Sequence, residues 1–430
     1  MTTHSEYERC LDTMYALGRF GIILGLSTMQ SILEKLGNPH THFKCIHIAG
    51  TNGKGSVASS LSHILCESGY KTGLYTSPHL VSFNERIKVD NEQITNEEVI
   101  ESYYAVEAAN TGERSATFFE ISTAMAFYIF SKKKVDYAVI ETGMGGRLDA
   151  TNIISPLLSI ITNISLEHKG YLGSTLSDIA FEKAGIIKQN TPIITAADQD
   201  SVLSVFQKAA DENAAPLHVF RRDFKVRRKK KEGCFAYYGI KKSWPDMQIT
   251  LKGKHQVDNA ALALAACEIL IPHAQQITEK TIRNGLKSTT WPGRLEIVNQ
   301  NPLTLVDGAH NLMSIHKLSD YLEETYHDRN ITLVTGILDD KSYSAMFKRL
   351  LPLCSRVILT QAKTERSIDP EKLFQIAKDL CGDVTVIKDI PEAICHGEKN
   401  TAPGGMVCIS GSLYVVGEAK AFYNDRNKTA

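Results

Sequence analysis

Short apolar runs alternate with segments of helical spacing along most of the chain. Residues 43–49 form a compact apolar run that is followed by glycine, which predicts a buried β-strand. In residues 54–69, Val57, Leu61 and Leu65 recur at four-residue intervals, which predicts one face of an α-helix. The segment is therefore predicted to fold as strand, glycine-rich loop and helix.

The same alternation continues through the first two thirds of the chain. Further strands are predicted at residues 73–76, 137–141, 157–162 and 192–195. Helices are predicted at residues 96–109, 118–130 and 174–187. Strands that alternate with helices favour a parallel sheet with crossover helices.

The remaining segments complete this first domain. Residues 6–36 predict two short helices broken around residues 21–25, before the first strong strand. Residues 220–251 contain short alternating runs with Gly233 and Gly239, which indicate a small antiparallel meander. Helices are predicted at residues 258–270 and 279–286.

A second α/β pattern follows residues 288–294, where Trp291, Pro292 and Gly293 indicate a hinge. Its strands are predicted at residues 304–307, 331–336, 356–360, 384–387 and 406–410. Its helices are predicted near residues 312–325, 343–351, 371–380 and 391–396. A chain of 430 residues exceeds the usual size of one hydrophobic core, so we expect two domains, residues 1–290 and 291–430.

Composition and charge narrow the class of protein. Hydrophobic residues make up 43% of the chain, and 48 Lys and Arg balance 48 Asp and Glu, so no global field attracts nucleic acid or an anionic membrane. The charged N-terminal segment is unlike a signal peptide, and no apolar run is long enough to span a membrane. The nine cysteines include no C-x-x-C pair. We therefore expect a cytoplasmic monomer that binds neither nucleic acid nor membrane.

The loop between the first strand and helix carries the first candidate chemistry. It consists of Gly50, Thr51, Asn52, Gly53, Lys54, Gly55 and Ser56. Glycines let backbone N–H groups turn toward one anion, the helix N-terminus adds partial positive charge, and Lys54 adds a full one. The spacing departs from the common phosphate loop, because Ile48 occupies the first glycine position and Gly55 follows the lysine. We predict that this loop binds the phosphates of ATP.

The sequence G-T-N-G-K-G-S resembles the ATP loop of the folylpolyglutamate and dihydrofolate synthase family and, more distantly, that of the Mur peptidoglycan ligases. Further motifs of the family occur in order: T-S-P-H-L from Thr76, F-N-E-R-I from Phe83, E-T-G-M-G-G-R-L-D-A-T-N from Glu141, His168, E-K-A-G-I from Glu182, H-Q-V-D-N-A from His255, W-P-G-R from Trp291 and D-G-A-H-N from Asp307. The resemblance covers both expected domains. It implies an α/β fold: a P-loop ATPase domain with a mainly parallel sheet, and a smaller C-terminal Rossmann-like glutamate ligase domain.

The resemblance also implies roles for residues of the first domain. Ser77, Glu141 and His168 are expected to ligate Mg²⁺, and Lys183 is expected to be carbamylated and to act in catalysis with Lys54. A folate-side loop is expected to contain Pro78, His79, Phe83 and Arg86. The residues next to Lys183 in the sequence also allow an alternative interpretation, in which it is a surface lysine with a partly buried aliphatic stem.

In the second domain, the resemblance implies that Arg294 and Asp307 contact ATP and that His310 is catalytic. Asn259, at the end of the first domain, is expected near the adenine. Arg294 can neutralise phosphoryl charge, and Asp307 can accept hydrogen bonds from ribose hydroxyls. For each of these residues alone, the alternative interpretation is a structural role in hinge packing or in a turn at the end of a strand.

The expected reaction is ATP-dependent ligation of L-glutamate to dihydropteroate, to reduced folates, or to both, through an acyl phosphate. One alternative is a Mur-type peptidoglycan ligase, against which stand the T-S-P-H-L motif and the roughly fifty residues before the phosphate loop, fewer than a typical separate domain. The other is an ATP-dependent switch without catalysis. The basic stretch at residues 221–231 is interpreted as a solvated hairpin.

Overall fold

The chain divides into two compact units in a computed structural model. One comprises Met1–Thr250 and Gln256–Thr290, and the other comprises Leu251–His255 and Trp291–Ala430. The structure describes residues 5–17, 23, 25–112, 114–167 and 169–429.

An eight-stranded sheet forms the centre of the first unit, in the order β4-β3-β2-β5-β1-β6-β7-β8. Its strands are β1 (Lys44–Ala49), β2 (Thr72–Tyr75), β3 (Ile87–Val89), β4 (Glu92–Gln93), β5 (Tyr137–Glu141), β6 (Leu158–Ile161), β7 (Ile193–Thr195) and β8 (Leu217–Val219). The six strands β1, β2 and β5 to β8 pair in parallel, while β3 and β4 pair antiparallel at one edge.

Helices connect and cover these strands. They are α1 (Glu6–Ala16), α2 (Ser27–Lys35), α3 (Lys54–Glu67), α4 (Asn96–Ala109), α5 (Phe118–Lys132), α6 (Lys169–Leu172), α7 (Leu176–Ala184), α8 (Asp200–Glu212), α9 (Lys254–Leu270) and α10 (Glu279–Ser288). Capping boxes begin α4 at Thr95 and α5 at Thr117, where each threonine accepts from the third backbone N–H of its helix. The predicted parallel sheet with crossover helices is confirmed.

The predicted antiparallel meander is also confirmed. It is a three-stranded sheet of β9 (Lys225–Arg228), β10 (Cys234–Tyr238) and β11 (Ser243–Gln248), with β10 in the middle. Its buried side includes Phe235, Tyr237 and Trp244, and the rings of Tyr237 and Trp244 stack with centroids 5.3 Å apart.

The second unit contains a six-stranded sheet in the order β12-β13-β17-β14-β15-β16. Its strands are β12 (Glu296–Gln300), β13 (Leu303–Val306), β14 (Ile331–Thr335), β15 (Arg356–Leu359), β16 (Val384–Val386) and β17 (Met406–Ser410). Its helices are α11 (Leu312–Thr325), α12 (Tyr343–Leu350), α13 (Pro370–Lys378), α14 (Ile390–Asn400) and α15 (Leu413–Thr429). All pairs except β12 with β13 are parallel, so the predicted second α/β sheet is confirmed.

Several predicted boundaries were wrong. Helix α9 begins at Lys254, four residues before the predicted start, and α7 is shorter than predicted at both ends. Strands β3, β4, β8 and β12 and helices α6, α8 and α15 were not predicted. Strands β3, β4 and β8 have two or three residues, which is too short to show a period. Helix α8 carries buried Val202, Phe206 and Ala210 at four-residue spacing, a signal that the sequence does contain. The break predicted around residues 21–25 lies largely outside the described residues.

Among the described residues, no helix combines the length and the apolar character needed to cross a membrane.

Helix α10 packs closely on α3 at Gly285, and this contact generates a stability prediction. A Cβ atom at Gly285 would lie 2.5 Å from the Ile64 Cα, so alanine must push the two helices apart. We expect Gly285→Ala to lower the free energy of unfolding by about 1–3 kcal/mol, measured by urea denaturation. Asn284→Ala is the matched control on the exposed side of the same helix and should be neutral or slightly stabilising. Equal stability of the two variants would contradict the close contact.

Candidate active site

Parallel pairing brings the carboxyl ends of the central strands of the first unit to one edge of the sheet. Ile48 of β1 lies opposite Glu141 of β5, and Ala49 lies opposite Ile161 of β6. The loops that follow these strands therefore meet at this edge, where open α/β sheets bind their ligands.

The predicted phosphate loop is the turn between β1 and α3, and two of its glycines are required by its shape. Gly50 has φ 141° and Gly53 has φ 87°, a backbone region that favours glycine. A Cβ at Gly50 would lie 1.9 Å from Thr162 Oγ1, and a Cβ at Gly53 would lie 2.5 Å from Asn259 Oδ1. Neither position has room for a side chain.

Thr162 and Asn163, which follow β6, hold this loop in place. The Thr162 hydroxyl and the Asn163 amide both donate to the Asn52 carbonyl, at 2.7 and 2.9 Å. In return, Thr51 N–H donates to the Asn163 carbonyl at 2.8 Å, and Asn52 N–H donates to Asn163 Oδ1 at 3.1 Å.

These contacts limit which N–H groups of the loop are available to an anion. The N–H groups of Thr51 and Asn52 are used inside the protein. The donors that remain for an anion are those of the first turn of α3, which have no partner within the helix. Sequence reasoning missed Thr162 and Asn163, although their place after an apolar parallel strand was a usable signal.

Lys54 begins α3 and lies beside Glu141. Its ammonium group donates to the Gly50 carbonyl at 3.1 Å and lies 3.7 Å from Glu141 Oε1. The Glu141 side chain is almost fully buried, at 4% exposure, whereas Lys54 keeps 17%. A buried carboxylate needs a cation, and Lys54 supplies one at this position.

Lys183, on α7, reaches the same carbonyl. Its Nζ donates to Gly50 O at 2.9 Å, and the residue is 5% exposed, which excludes the surface-lysine interpretation. Burial, and then the positive charge of Lys54, lower the pKa of Lys183 to about 7. A large fraction of this amine is therefore neutral near neutral pH.

Of the three residues predicted to ligate metal, the structure places two together. The Ser77 N–H donates to Glu141 Oε2 at 3.2 Å, whereas His168 lies outside the described residues. Among the described residues, no three His, Cys, Asp or Glu side chains come together as a metal site. One carboxylate and a neighbouring serine suit Mg²⁺, which keeps water ligands and commonly arrives with substrate phosphates.

The segment after β2 contains the predicted folate-side residues. The Arg86 Nε–H donates to His79 Nδ1 at 2.8 Å, and the rings of His79 and Phe83 lie edge to face at 6.3 Å. Burial and the Arg86 charge lower the pKa of His79 to about 3, so this imidazole stays neutral. Pro78 follows Ser77 through a cis peptide bond.

Asn259 lies on α9 against the phosphate loop, as its contact with Gly53 requires. Its Nδ2 donates to Gln256 Oε1 at 2.9 Å, so Gln256 orients the amide and leaves Oδ1 directed toward Gly53. Gln256 is a positioning residue that the sequence alone did not single out.

The loop after Glu141 is fixed by a buried carboxylate. Asp149 accepts from Met144 N–H at 2.8 Å and from the Thr151 hydroxyl at 2.5 Å. The Thr151 oxygen in turn lies 2.9 Å from Nε2 of His47 on β1. Because Thr151 donates to the carboxylate, His47 Nε2 carries the proton and donates to Thr151. This chain ties the loop after β5 to the strand that precedes the phosphate loop.

In the second unit, Arg294, Asp307 and His310 lie around Gly308. A Cβ at Gly308 would lie 3.1 Å from an Arg294 nitrogen, and His310 Nδ1 donates to the Gly308 carbonyl at 2.7 Å. Asp307 accepts from the N–H groups of Leu295 and Ala309, each at 2.9 Å. Burial raises the pKa of Asp307, while the Arg294 charge opposes that rise.

The arrangement therefore forms two clusters, one in each unit. The first contains Gly50, Lys54, Ser77, Glu141 and Lys183, with Asn259 on the other side of the loop. The second contains Arg294, Asp307 and His310. The first joins a helix N-terminus to a buried carboxylate and a lysine whose pKa is lowered to about 7, which suits chemistry on a metal-bound phosphate.

Comparison with known proteins gives the family. Residues 48–267 match the Mur ligase middle domain, and residues 293–413 match the Mur ligase glutamate ligase domain. The chain is 36% identical over 426 residues to the dihydrofolate synthase/folylpolyglutamate synthase of Bacillus subtilis, covering 97% of this chain and 99% of that relative.

Solved structures agree with this relationship. The folylpolyglutamate synthase of Mycobacterium tuberculosis, complexed with ADP and AMPPCP, superposes with a TM-score of 0.90 at 30% identity, covering 97% of this chain and 99% of that one. Escherichia coli FolC, in complex with DHPP and ADP, gives a TM-score of 0.89 at 27% identity, covering 97% and 98%. The chain therefore belongs to the dihydrofolate synthase/folylpolyglutamate synthase family, whose two domains match those of the Mur ligases.

Proposed function

We propose that the protein joins L-glutamate to the carboxylate of dihydropteroate and of reduced folates, with hydrolysis of ATP to ADP and phosphate. The observation that carries this proposal is the meeting of Lys54, Lys183 and Glu141 beside the first turn of α3. Membership in the family supplies the reaction class.

The chemistry requires activation because a carboxylate does not react with an amine at neutral pH. Transfer of the γ-phosphoryl group of ATP to the carboxylate oxygen gives an acyl phosphate and ADP. The amine of glutamate then attacks the acyl carbon, phosphate leaves with the original oxygen, and the amine proton is released. The first step depends on positioning and on neutralised charge, which Lys54 and the N-terminus of α3 provide.

Mg²⁺ fits the donor set at Glu141. Ser77, Glu141 and His168 would hold it together with nucleotide phosphates, and the metal would neutralise phosphoryl charge. Lys54 lies 3.7 Å from the same carboxylate, so its ammonium group would contact nucleotide phosphates held beside Glu141.

Nucleotide and acceptor would be held by the other predicted residues. Asn259 would contact the adenine, and from the second unit Arg294, Asp307 and His310 would contact ATP and the reacting groups. ADP, AMPPCP and DHPP in the complexes of the M. tuberculosis and E. coli relatives support ATP as co-substrate and a folate-type acceptor. The acceptor would lie against Pro78, His79, Phe83 and Arg86. The protein is proposed to act in the cytoplasm as a monomer.

The reaction is tested by ADP release from purified protein with ATP, Mg²⁺ and L-glutamate. We expect release that depends on glutamate with dihydropteroate and also with tetrahydrofolate, because dihydropteroate presents the carboxylate of its aminobenzoate and tetrahydrofolate presents a carboxylate of its glutamate. Release with a UDP-sugar peptide instead would favour the peptidoglycan ligase alternative. ATP binding without acceptor-dependent release would favour the switch, and either result would overturn the proposal.

The role of Lys54 is tested by Lys54→Ala. Loss of the ammonium should lower kcat by about 100- to 1000-fold, the cost of removing one group that stabilises transition-state charge. Lys208→Ala is the matched control, since the Lys208 side chain is 79% exposed on α8. Circular dichroism should show both variants folded. Full turnover by folded Lys54→Ala would remove this lysine from the phosphate site.

Lys183 is proposed to react with CO₂. The ammonium group first loses one proton. The neutral Nζ then attacks the carbon of CO₂, an N–C bond forms as one C=O π bond opens onto oxygen, and a second proton leaves the nitrogen, so a cationic side chain becomes a carbamate anion. A pKa of about 7 supports this step because the neutral amine is then abundant. An anion beside Lys54 would also remove the repulsion between two ammonium groups at Gly50 O.

We expect Lys183→Ala to lower activity by about 10- to 100-fold, as for other groups that support a metal site. Acetate at high concentration should restore part of it by occupying the position of the carbamate. Lys183→Arg should remain inactive, because a guanidinium stays charged and does not form a carbamate. Mass spectrometry of protein kept in bicarbonate should show one added CO₂. An active Lys183→Arg variant without added mass would contradict the carbamate.

A further inference from the structure

Helix α1 contacts the folate-side loop through two tyrosines. Tyr7 OH donates to Asn84 Oδ1 at 2.6 Å, and Tyr15 OH lies 3.4 Å from His79 Nε2. The two tyrosines are eight residues apart, slightly more than two helical turns, so they lie on the same side of α1. Cys10 and Met14 are buried on that side and hold the helix against the core.

Tyr7 contacts the folate-side loop at Asn84. Asn84 is buried, and its Nδ2 donates to Ile94 O at 2.7 Å and to Asn96 Oδ1 at 3.1 Å. Both amide N–H bonds are thus used, and Oδ1 is oriented toward Tyr7. Asn84 belongs to the 3₁₀ turn Phe83–Arg86, so its orientation affects the turn that carries Phe83 and Arg86.

Tyr15 contacts the folate-side loop at His79. Arg86 Nε is always a donor, so His79 Nδ1 must be the acceptor and Nε2 must carry the proton. The Nε2–H group then donates to the Tyr15 oxygen. Arg86 and Tyr15 together select one tautomer of His79 and fix the plane of its ring.

Stacking completes the contact. The rings of Tyr15 and Phe118 stack at 5.5 Å, and the Arg86 guanidinium lies 4.9 Å from the centre of the Phe118 ring. The next residue, Phe119, packs against Gly143, where a Cβ atom would lie 2.5 Å from its ring. This group of rings therefore extends to the loop after Glu141. Tyr15 remains 43% exposed, which leaves part of its ring open to a ligand.

We propose that α1 positions the folate-side loop, with Tyr7 fixing Asn84 and Tyr15 fixing His79, and that these two tyrosines set the affinity for the pterin-bearing acceptor. This inference rests on the proposed function and names the residues that control its acceptor side. The hydrogen bonds of the two tyrosines described above are made to the folate-side loop, and Tyr15 stacks on Phe118, so binding of ATP should be independent of them.

The test compares Tyr7→Phe, Tyr15→Phe and Tyr15→Leu with the wild-type enzyme. Each Phe variant removes one hydroxyl and keeps the ring, and Tyr15→Leu also removes the stacking on Phe118. We expect KM for tetrahydrofolate or dihydropteroate to rise by about 3- to 10-fold in the Phe variants, the range of one hydrogen bond, and further in Tyr15→Leu. KM for ATP and kcat should stay within about twofold of wild type.

Tyr238→Phe is the matched control. Tyr238 is 40% exposed on β10 of the three-stranded sheet. Its substitution should leave all constants unchanged. Equal KM for the acceptor in the Tyr7 and Tyr15 variants and in wild type would overturn the proposal. Parallel rises in KM for the acceptor and for ATP would also overturn it, because general loosening of the fold would account for them.

The failure of this inference can be distinguished from failure of the proposed function. If the wild-type protein releases ADP normally and the tyrosine variants match it, only the positioning role fails. If the wild-type protein shows no acceptor-dependent release, the proposed function fails, and dihydropteroate binding measured by calorimetry then tests the tyrosines directly. If Tyr15→Leu does not fold, the two Phe variants still decide the question.

Discussion

The active site depends on one carbonyl group, Gly50 O, which accepts hydrogen bonds from two lysines at once. Lys54 and Lys183 approach it at 3.1 and 2.9 Å. Two ammonium groups this close repel each other, and burial adds a desolvation cost to Lys183. Glu141 offsets part of this positive charge from the neighbouring strand. The site therefore has an excess of positive charge, which the negative charge of a nucleotide or of a carbamate would neutralise.

The backbone makes this meeting of charges possible. Gly50 follows β1, Glu141 ends β5, and parallel register places both at the same edge. The loop cannot relax away, because Thr162 and Asn163 bind the Asn52 carbonyl from the end of β6. Glu141 at the end of β5, and Thr162 and Asn163 after β6, thus hold the loop from the strands on either side of β1.

Much of this was predictable from sequence because the central strands are uniformly apolar. Strands β1 and β5 are flanked on both sides by other strands, so their runs contain few polar residues and their ends are sharply marked. The phosphate loop and Glu141 stand at those ends, but the loop was found by its glycines and Lys54, and the role of Glu141 was implied by the resemblance to the family. The edge strands β3 and β4 have no such signal, since two or three residues do not define a period.

The partners of the predicted residues were harder to find than the residues themselves. Asn163 acts through a hydrogen bond to Asn52, which is 111 residues away in sequence. Its position after an apolar strand is visible in the sequence, but its partner depends on how distant strands are arranged. Gln256 is different, because it lies three residues before Asn259 on the same helix, a spacing at which helical side chains meet. The burial of Lys183 has the same origin as the partner of Asn163, since α7 alone looks like an amphipathic surface helix whose lysine faces water.

The basic stretch at residues 221–231 forms part of its contacts with Asp258. Arg228 and Arg221 both approach Asp258, the first in a direct hydrogen bond at 2.5 Å and the second at 3.9 Å. Asp258 precedes Asn259, whose amide touches the phosphate loop at Gly53. Part of the positive charge of the hairpin is thus used to attach β9 to the start of α9. Since α9 also carries Gln256, this attachment steadies the helix that orients Asn259 against Gly53.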